Sequence, residues 1–201
     1  MNGKLFLLLG PSGCGKSSVK EELRKWRPDF MYPVSATTRD KRPGEKEGET
    51  YHYITRKQFE AKIKRREFLE HELVHQINYY GTLKKPVMEG LEAGKTIVRE
   101  VDIRGYEEIR KHIPAKNLVS IFITVPNQQE LIDRIINRGP MTKEELKHRI
   151  VSMRMELAKA RECDYLVENK NGELKKTVEK IEKIIETESA KKSPAKRAKK
   201  N

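Results

Sequence analysis

The chain is short of several things. In 201 residues it has two cysteines, Cys14 and Cys163, one tryptophan and 6% aromatics. Two cysteines do not make a disulfide framework, so a reducing compartment is expected, and with it a cytoplasmic location. Long apolar runs are missing too. The longest aliphatic stretch, residues 5–9, holds five residues, far below the ~20 that a membrane-spanning helix needs. It follows a single lysine and lacks a small-residue cleavage site, so no secretory signal is expected. There is no internal repeat and no long Pro/Gly linker, and the length suits one domain with one respectable core.

Positive charge, by contrast, is in excess. The net charge is +13, and 36% of residues are charged. Six of those charges sit at residues 190–201 (AKKSPAKRAKKN), a stretch with no acid. Its Lys/Ala/Ser/Pro composition predicts a disordered tail from about residue 189, able at most to touch nucleic acid. The remaining excess belongs to the body, where a positively lined cleft would concentrate polyanionic substrates.

Segments of β character alternate with amphipathic helical ones, which predicts an α/β fold with a mainly parallel central sheet. Residues 5–9 and 118–125 (LVSIFITV) read as strands buried on both faces, and 96–101 as a third. Leu146, Ile150, Met153 and Leu157 recur at helical spacing, as do Leu174, Val178, Ile181 and Ile185. Residues 34–90 differ. They are rich in Tyr, Arg and Gly, carry turn signals at Arg42-Pro43-Gly44 and Gly48, and read as a small, partly β insertion. Residues 137–143 (NRGPMTK) break the helical pattern at Gly139-Pro140 and would suit a lid.

Between the first strand and the first helix stands Gly10-Pro11-Ser12-Gly13-Cys14-Gly15-Lys16-Ser17, a full match to G-x-x-x-x-G-K-[ST]. Glycines let the backbone curl so that successive N–H groups face phosphate oxygens. The helix that follows offers its positive end to the same anion. Lys16 would reach the β- and γ-phosphates of ATP, and the Ser17 hydroxyl would help hold Mg²⁺. Gly10, Pro11, Ser12, Gly13, Cys14, Gly15, Lys16, Ser17 and Ser18 are therefore the candidate ATP-binding residues.

Residues 34–45 (VSATTRDKRPGE), then 48–53 (GETYHY), resemble guanylate kinase. So do 68–70 (FLE), 78–82 (NYYGT), 100–105 (EVDIRG), 137–139 (NRG), 147–149 (KHR) and 164–169 (DYLVEN). The resemblance spans residues 4–186. It implies a P-loop NTPase three-layer fold with a small mixed α/β GMP-binding insertion and a short lid. The domain would cover 1–188, with its core at 1–33 and 91–188, its insertion at 34–90 and its lid at about 137–149. It implies ATP-dependent phosphorylation of GMP, and of dGMP, in purine nucleotide metabolism. Arg39, Arg42, Tyr51 and Tyr80 would take the GMP phosphate, Ser35 and Asp102 the base with Thr82 nearby, and Arg138 and Arg149 would be lid arginines. The sequence departs from the family in having Glu100 where Asp is usual, and one extra residue in the loop before Tyr80.

These residues make chemical sense. Arg39 and Arg42, three apart in a turn, can bring two guanidinium forks to one phosphate. Glu70 can accept from both N1–H and the 2-amino group of guanine, whereas adenine would leave its carboxylate unpaired. The attacking phosphate oxygen is already ionised near neutral pH, so no general base is required. Alignment and charge neutralisation by Lys16, Arg39, Arg138, Arg149 and Mg²⁺ carry the step, and Arg134 could also reach inward. Ribose bisphosphate phosphokinases share the loop but need no guanine-reading acid. Guanylate-kinase-like scaffold modules have degraded loops. ATP and GMP are thus the expected partners, with no membrane and a monomer or homodimer.

Overall fold

The structure is a computed structural model and describes residues 1–74, 76–137, 139 and 141–191. Its strands are β1 (Lys4–Leu9), β2 (Ser35–Thr37), β3 (His52–Tyr53), β4 (Phe68–Val74), β5 (Asn78–Leu83), β6 (Thr96–Glu100), β7 (Leu118–Thr124) and β8 (Tyr165–Glu168). Its helices are α1 (Lys16–Trp26), α2 (Arg56–Lys64), α3 (Lys84–Glu92), α4 (Ile103–Ile109), α5 (Gln128–Ile136), α6 (Lys143–Ala158) and α7 (Leu174–Ala190).

The core sheet runs β6-β1-β7-β8 and is parallel throughout. Its central strand β1 shows why an unbroken aliphatic run was needed. Successive side chains of a strand point to opposite faces, so both faces must be apolar when both are covered. Phe6 and Leu8 enter one cluster with Val19 and Leu23 of α1, Leu131 and Ile135 of α5, Met153 of α6, and Val178, Ile181 and Ile185 of α7. Leu5, Leu7 and Leu9 enter another with Val87 and Leu91 of α3 and Ile109 of α4. Helices therefore cover both faces, which makes three layers. The fold is the expected P-loop arrangement with a parallel central sheet.

The expected insertion contains a second sheet of order β3-β2-β5-β4, with α2 beside it. Here β2 pairs parallel with β3 but antiparallel with β5, and β4 and β5 form a hairpin. The core under it is small: Ala36, Phe59 and Phe68 are buried, with Phe59 stacked between Phe68 and Tyr79 at centroid distances of 4.3 and 5.0 Å. The longer loop before Tyr80 closes this hairpin with Gln76 in the left-handed region, at φ 56°. Of that loop, His75 lies outside the described residues.

Helix α7 continues through Ser189 and Ala190, past the expected start of the tail. Near its end, the almost buried Glu188 accepts from Lys4 Nζ at 3.2 Å and from the Tyr165 hydroxyl at 2.5 Å, which ties the helix to β1 and β8. Residues 192–201, the rest of the expected tail, lie outside the described residues. No helix among the described residues is long and apolar enough to cross a membrane.

The turn after β1 limits what the fold tolerates. Gly10 has φ 137°, and a Cβ there would stand 2.1 Å from the carbonyl oxygen of Ile123 on β7. Gly172 also has positive φ, 75°, but faces open space. Gly10→Ala is expected to cost more than about 3 kcal/mol, because backbone strain and a clash with a core strand add, whereas Gly172→Ala should cost about 1 kcal/mol. Urea unfolding of the two variants, followed by circular dichroism, measures the difference.

Candidate active site

The phosphate loop joins the C-terminal end of β1 to α1, where a parallel sheet presents its ligand crevice. Gly13 and Gly15 have φ of 88° and 97°, so the loop takes a path that ordinary side chains resist. Its carbonyls are held by side chains of the loop and of distant elements. Lys16 Nζ donates to Gly10 O at 2.5 Å and to Pro11 O at 3.2 Å. Arg134 Nη1 donates to Gly13 O at 3.3 Å, and Asn169 Nδ2 to Cys14 O at 2.8 Å. The Cys14 thiol is fully buried, and burial raises its pKa, so it packs as a small apolar group. Its N–H is used within the loop, donating to Pro11 O at 3.1 Å. Ser17 and Ser18 are exposed at the first turn of α1.

At the end of β6, Glu100 faces this turn. Burial works to raise its pKa, but the charge of Lys20, a 2.8 Å hydrogen bond from Lys20 Nζ and a hydrogen bond from Ser17 outweigh it. The carboxyl is held below its ordinary value and stays ionised.

Across the cleft, cross-strand pairing builds a polar row. Ser35 on β2 is register partner to Thr82 on β5, which is partner to Glu70 on β4. Thr82 is 1% exposed, and its hydroxyl donates a short hydrogen bond to Glu70 Oε1. Arg99 reaches over from β6, donating through Nη2 to Ser35 Oγ while standing 4.0 Å from Glu70 Oε1. Asp102 joins from the exposed N-terminus of α4, where its Oδ1 accepts the Gly105 N–H at 2.7 Å. A Cβ on Gly105 would lie 3.5 Å from Glu70 Cγ, so α4 and the Glu70 side chain are close neighbours.

The other end of the second sheet gathers the remaining acceptor candidates. Tyr51 and Tyr80 meet edge to face at 5.7 Å, and the Arg39 guanidinium lies 5.5 Å from the Tyr51 ring. Arg39 is not free. It donates to both Glu45 oxygens at 3.0 and 2.7 Å, and also bonds Tyr80. Glu45 accepts as well from the Arg42 N–H at 2.8 Å and the Tyr53 hydroxyl at 2.8 Å. Arg39 first, then these donors, pull the Glu45 carboxyl down to about 2. Glu45 thus receives the donor set, a fork plus a backbone amide plus a phenol, that suits a phosphate. The Arg42 side chain itself is exposed.

A cleft of about 1210 Å³ runs between these regions. It brings Ser12, Lys16 and Ser17 into one wall system with Glu70, Tyr80, Arg99 and Asp102. Arg39, Arg42 and Tyr51 stand apart from that wall, grouped at the end of the second sheet. Arg149 is half-exposed on α6, and Arg138 lies outside the described residues. Within the expected lid, residues 143–149 are the opening turns of α6, fixed by a capping box between Thr142 and Glu145. Arg134 points toward the phosphate loop, but its guanidinium is spent on Glu130, Asn169 O and Asn171 as well as Gly13 O.

The cleft and its surroundings also hold residues that sequence reasoning gave no role. Arg99 could have been noticed as a charge directly after the buried Ile97 and Val98, and Glu45 and Asn169 stood in quoted motifs. Glu156 gave no signal beyond helical spacing. It lines the cleft from α6, and burial raises its carboxyl to about 7, against the lowering charge of Lys16 and with a small push from Asp102.

Comparison with known proteins identifies the family. A family model described as guanylate kinase matches residues 2–188. A guanylate kinase of Clostridium tetani is 40% identical over 186 residues, covering 92% of this chain and 86% of that protein. One of Thermotoga maritima is 37% identical over 95% of this chain and 90% of its own length. The crystal structure of guanylate kinase from Anaplasma phagocytophilum superimposes with a TM-score of 0.72 at 25% identity, covering 94% of this chain and 87% of that one.

The raised Glu156 carboxyl has a consequence for stability. Its folded value of about 7 lies above the ordinary 4.5. Between those values the folded state keeps a proton that the unfolded state has released, so stability falls as pH rises from 4.5 to 7 and is flat above. Glu156→Gln removes that slope. Between pH 5 and pH 8 the variant should gain about 1–2 kcal/mol on the wild type, a figure discounted because the side chain keeps part of its surface in water. Urea unfolding at the two pH values checks it, and parallel curves for both proteins would contradict it.

Proposed function

Because this chain belongs to the guanylate kinase family and phosphorylates GMP at the expense of ATP, we propose that the cleft between its two sheets aligns these substrates. The polar row Ser35–Thr82–Glu70 reads guanine, and the phosphate loop holds ATP. The observation that carries this reading is the cross-strand row from the buried Ser35 and Thr82 out to Glu70, which lines the same cleft as Lys16. Glu70 has one oxygen engaged by Thr82 and offers the other, with its remaining lone pairs, to N1–H and the 2-amino group. Asp102 stands beside it at the α4 terminus.

The phosphate end of GMP fits Arg39, Arg42, Tyr51 and Tyr80. In this reading the GMP phosphate takes over donors that Glu45 otherwise accepts, so Glu45 keeps the Arg39 fork in a phosphate-ready shape. Lys16 then follows the γ-phosphoryl group as it moves in line, exchanging loop carbonyls for phosphate oxygens. Arg149 and Arg138 are proposed to add charge from the lid side. Ser17 and the ionised Glu100 supply a hydroxyl and an anionic oxygen side by side, a donor set that suits Mg²⁺. When bound, Mg²⁺ neutralises phosphate charge. Lys20 would yield its hold on Glu100 in that event. We further propose a single folded unit at 1–188 with an acceptor-binding part at 34–90 and a short lid at about 137–149, which takes in the opening turns of α6. A cytoplasmic location and acceptance of dGMP belong to the same proposal.

Two substitutions separate the parts. Lys16→Ala should lower kcat at least tenfold, a loss of more than ~1.4 kcal/mol in the transition state, with an unfolding midpoint near wild type. A rate above a tenth of wild type would remove Lys16 from the transition state. Glu70→Gln should lower kcat/KM for GMP about 10²-fold, or ~2.7 kcal/mol, with a smaller effect on AMP and little on the KM for ATP. Equal losses for GMP and AMP in a coupled ADP-release assay would make Glu70 structural.

A further inference from the structure

Arg99 is an unusual tenant for its strand. It sits in β6 after Ile97 and Val98, both buried, and its side chain is 16% exposed. Burying a guanidinium is costly unless its donors are met. Two of its nitrogens have partners: Nη1 donates to Pro33 O at 3.3 Å, and Nη2 to Ser35 Oγ. Its Nε is buried with no hydrogen-bond partner among the described residues. The fork therefore has donors to spare, and it lines the cleft.

Its position relative to Glu70 gives those donors a use. Nη2 lies 4.0 Å from Glu70 Oε1, with Ser35 Oγ beside it. A carboxylate accepts and a guanidinium only donates. Side by side they offer acceptor and donor along one edge. Guanine presents the complement: N1–H and the 2-amino group donate, and O6, next to N1, accepts. Adenine has an amino group at position 6, so a guanidinium there would meet a donor and be repelled. A charged donor to a carbonyl oxygen is also stronger than a neutral hydroxyl.

We propose that Arg99 is a specificity-determining residue that donates to O6 of the acceptor purine, so that Glu70 and Arg99 together read the whole Watson–Crick edge. This rests on the assignment of Glu70 to guanine. It adds that the core sheet itself, through β6, contributes to base recognition and is more than a support for the second sheet. Because Nη2 also holds Ser35, the arginine couples the position of β2 to the presence of O6.

A purely structural Arg99, tying β6 to Pro33 and Ser35, would affect all acceptors alike. The test therefore compares acceptors that differ at single atoms. 6-Thio-GMP replaces O6 by sulfur, a poor acceptor, and keeps both donors. IMP keeps O6 and N1–H and lacks the 2-amino group. Arg99→Met preserves the apolar stem, and Arg99→Lys preserves a charge without the fork. For Arg99→Met, kcat/KM should fall about 30-fold for GMP and for IMP but less than about 3-fold for 6-thio-GMP, a roughly tenfold loss of the preference for oxygen over sulfur. Arg99→Lys should recover part of that preference, and it carries the test if the methionine variant folds poorly by circular dichroism. Equal losses for all three acceptors in both variants would overturn the proposal. Glu70→Gln, assayed in parallel, should shrink the GMP-over-IMP preference. If it does not, the Glu70 reading fails, while the oxygen–sulfur comparison still decides Arg99.

Discussion

A loop that binds phosphate through its own amides must turn its carbonyls away and find them partners elsewhere. Residues 10–17 meet this demand with three glycines at positive φ and with partners drawn from distant parts of the chain. Asn169, just beyond β8, takes the carbonyl of Cys14, and Arg134 on α5 takes that of Gly13. Asn169 is itself held by Thr177 of α7 at 3.1 Å. The C-terminal part of the chain therefore serves the loop near the N-terminus as a brace. A Cβ at Gly15 would stand 2.4 Å from Asn169 Nδ2, so the glycine and the asparagine constrain each other. Unpaired carbonyls here would cost what any buried backbone group costs, and the curl would relax.

The second sheet solves a different problem. It must carry polar groups toward the cleft while keeping enough apolar contact to stay folded. Alternation along β5, together with the register shift in β4 between Phe68 and Glu70, divides the two tasks. Phe59, Phe68 and Tyr79 stack on one side, and Glu70 and Thr82 take part in the polar row. Arg39 and Glu45 stand at the other end of the same sheet, paired in a geometry that a phosphate can replace.

Much of this was legible in the sequence, for reasons that differ by element. Residues 5–9 could only be a strand buried on both faces, because neither face of the run offers a polar residue. The phosphate loop was legible because its glycine spacing has one mechanical use. The helical stripes at 146–157 and 174–185 followed from period alone, and α6 and α7 contain them. Partnerships across space were not legible. Nothing local says that Arg39 pairs with Glu45, that Arg134 reaches Gly13 O, or that Glu156 lies half-buried near Lys16. The helical turns at 143–149 carried a readable signal, Thr142 three before Glu145, which the Gly139-Pro140 break overshadowed. Arg99 was hidden for a better reason. Its meaning depends on Ser35 and Glu70, which two other strands bring to it.

The central claim is that the acceptor is chosen by its base at a site separate from the phosphate loop. It is tested most directly by ADP release from the wild-type protein with ATP and Mg²⁺, coupled to a spectroscopic readout, against GMP, AMP, CMP and UMP at equal concentrations. The account predicts release that depends on GMP and is weak with the other three, with the difference lying in kcat/KM for the acceptor and the KM for ATP alike in all reactions. Comparable rates with AMP or UMP, or release that no monophosphate stimulates, would contradict it.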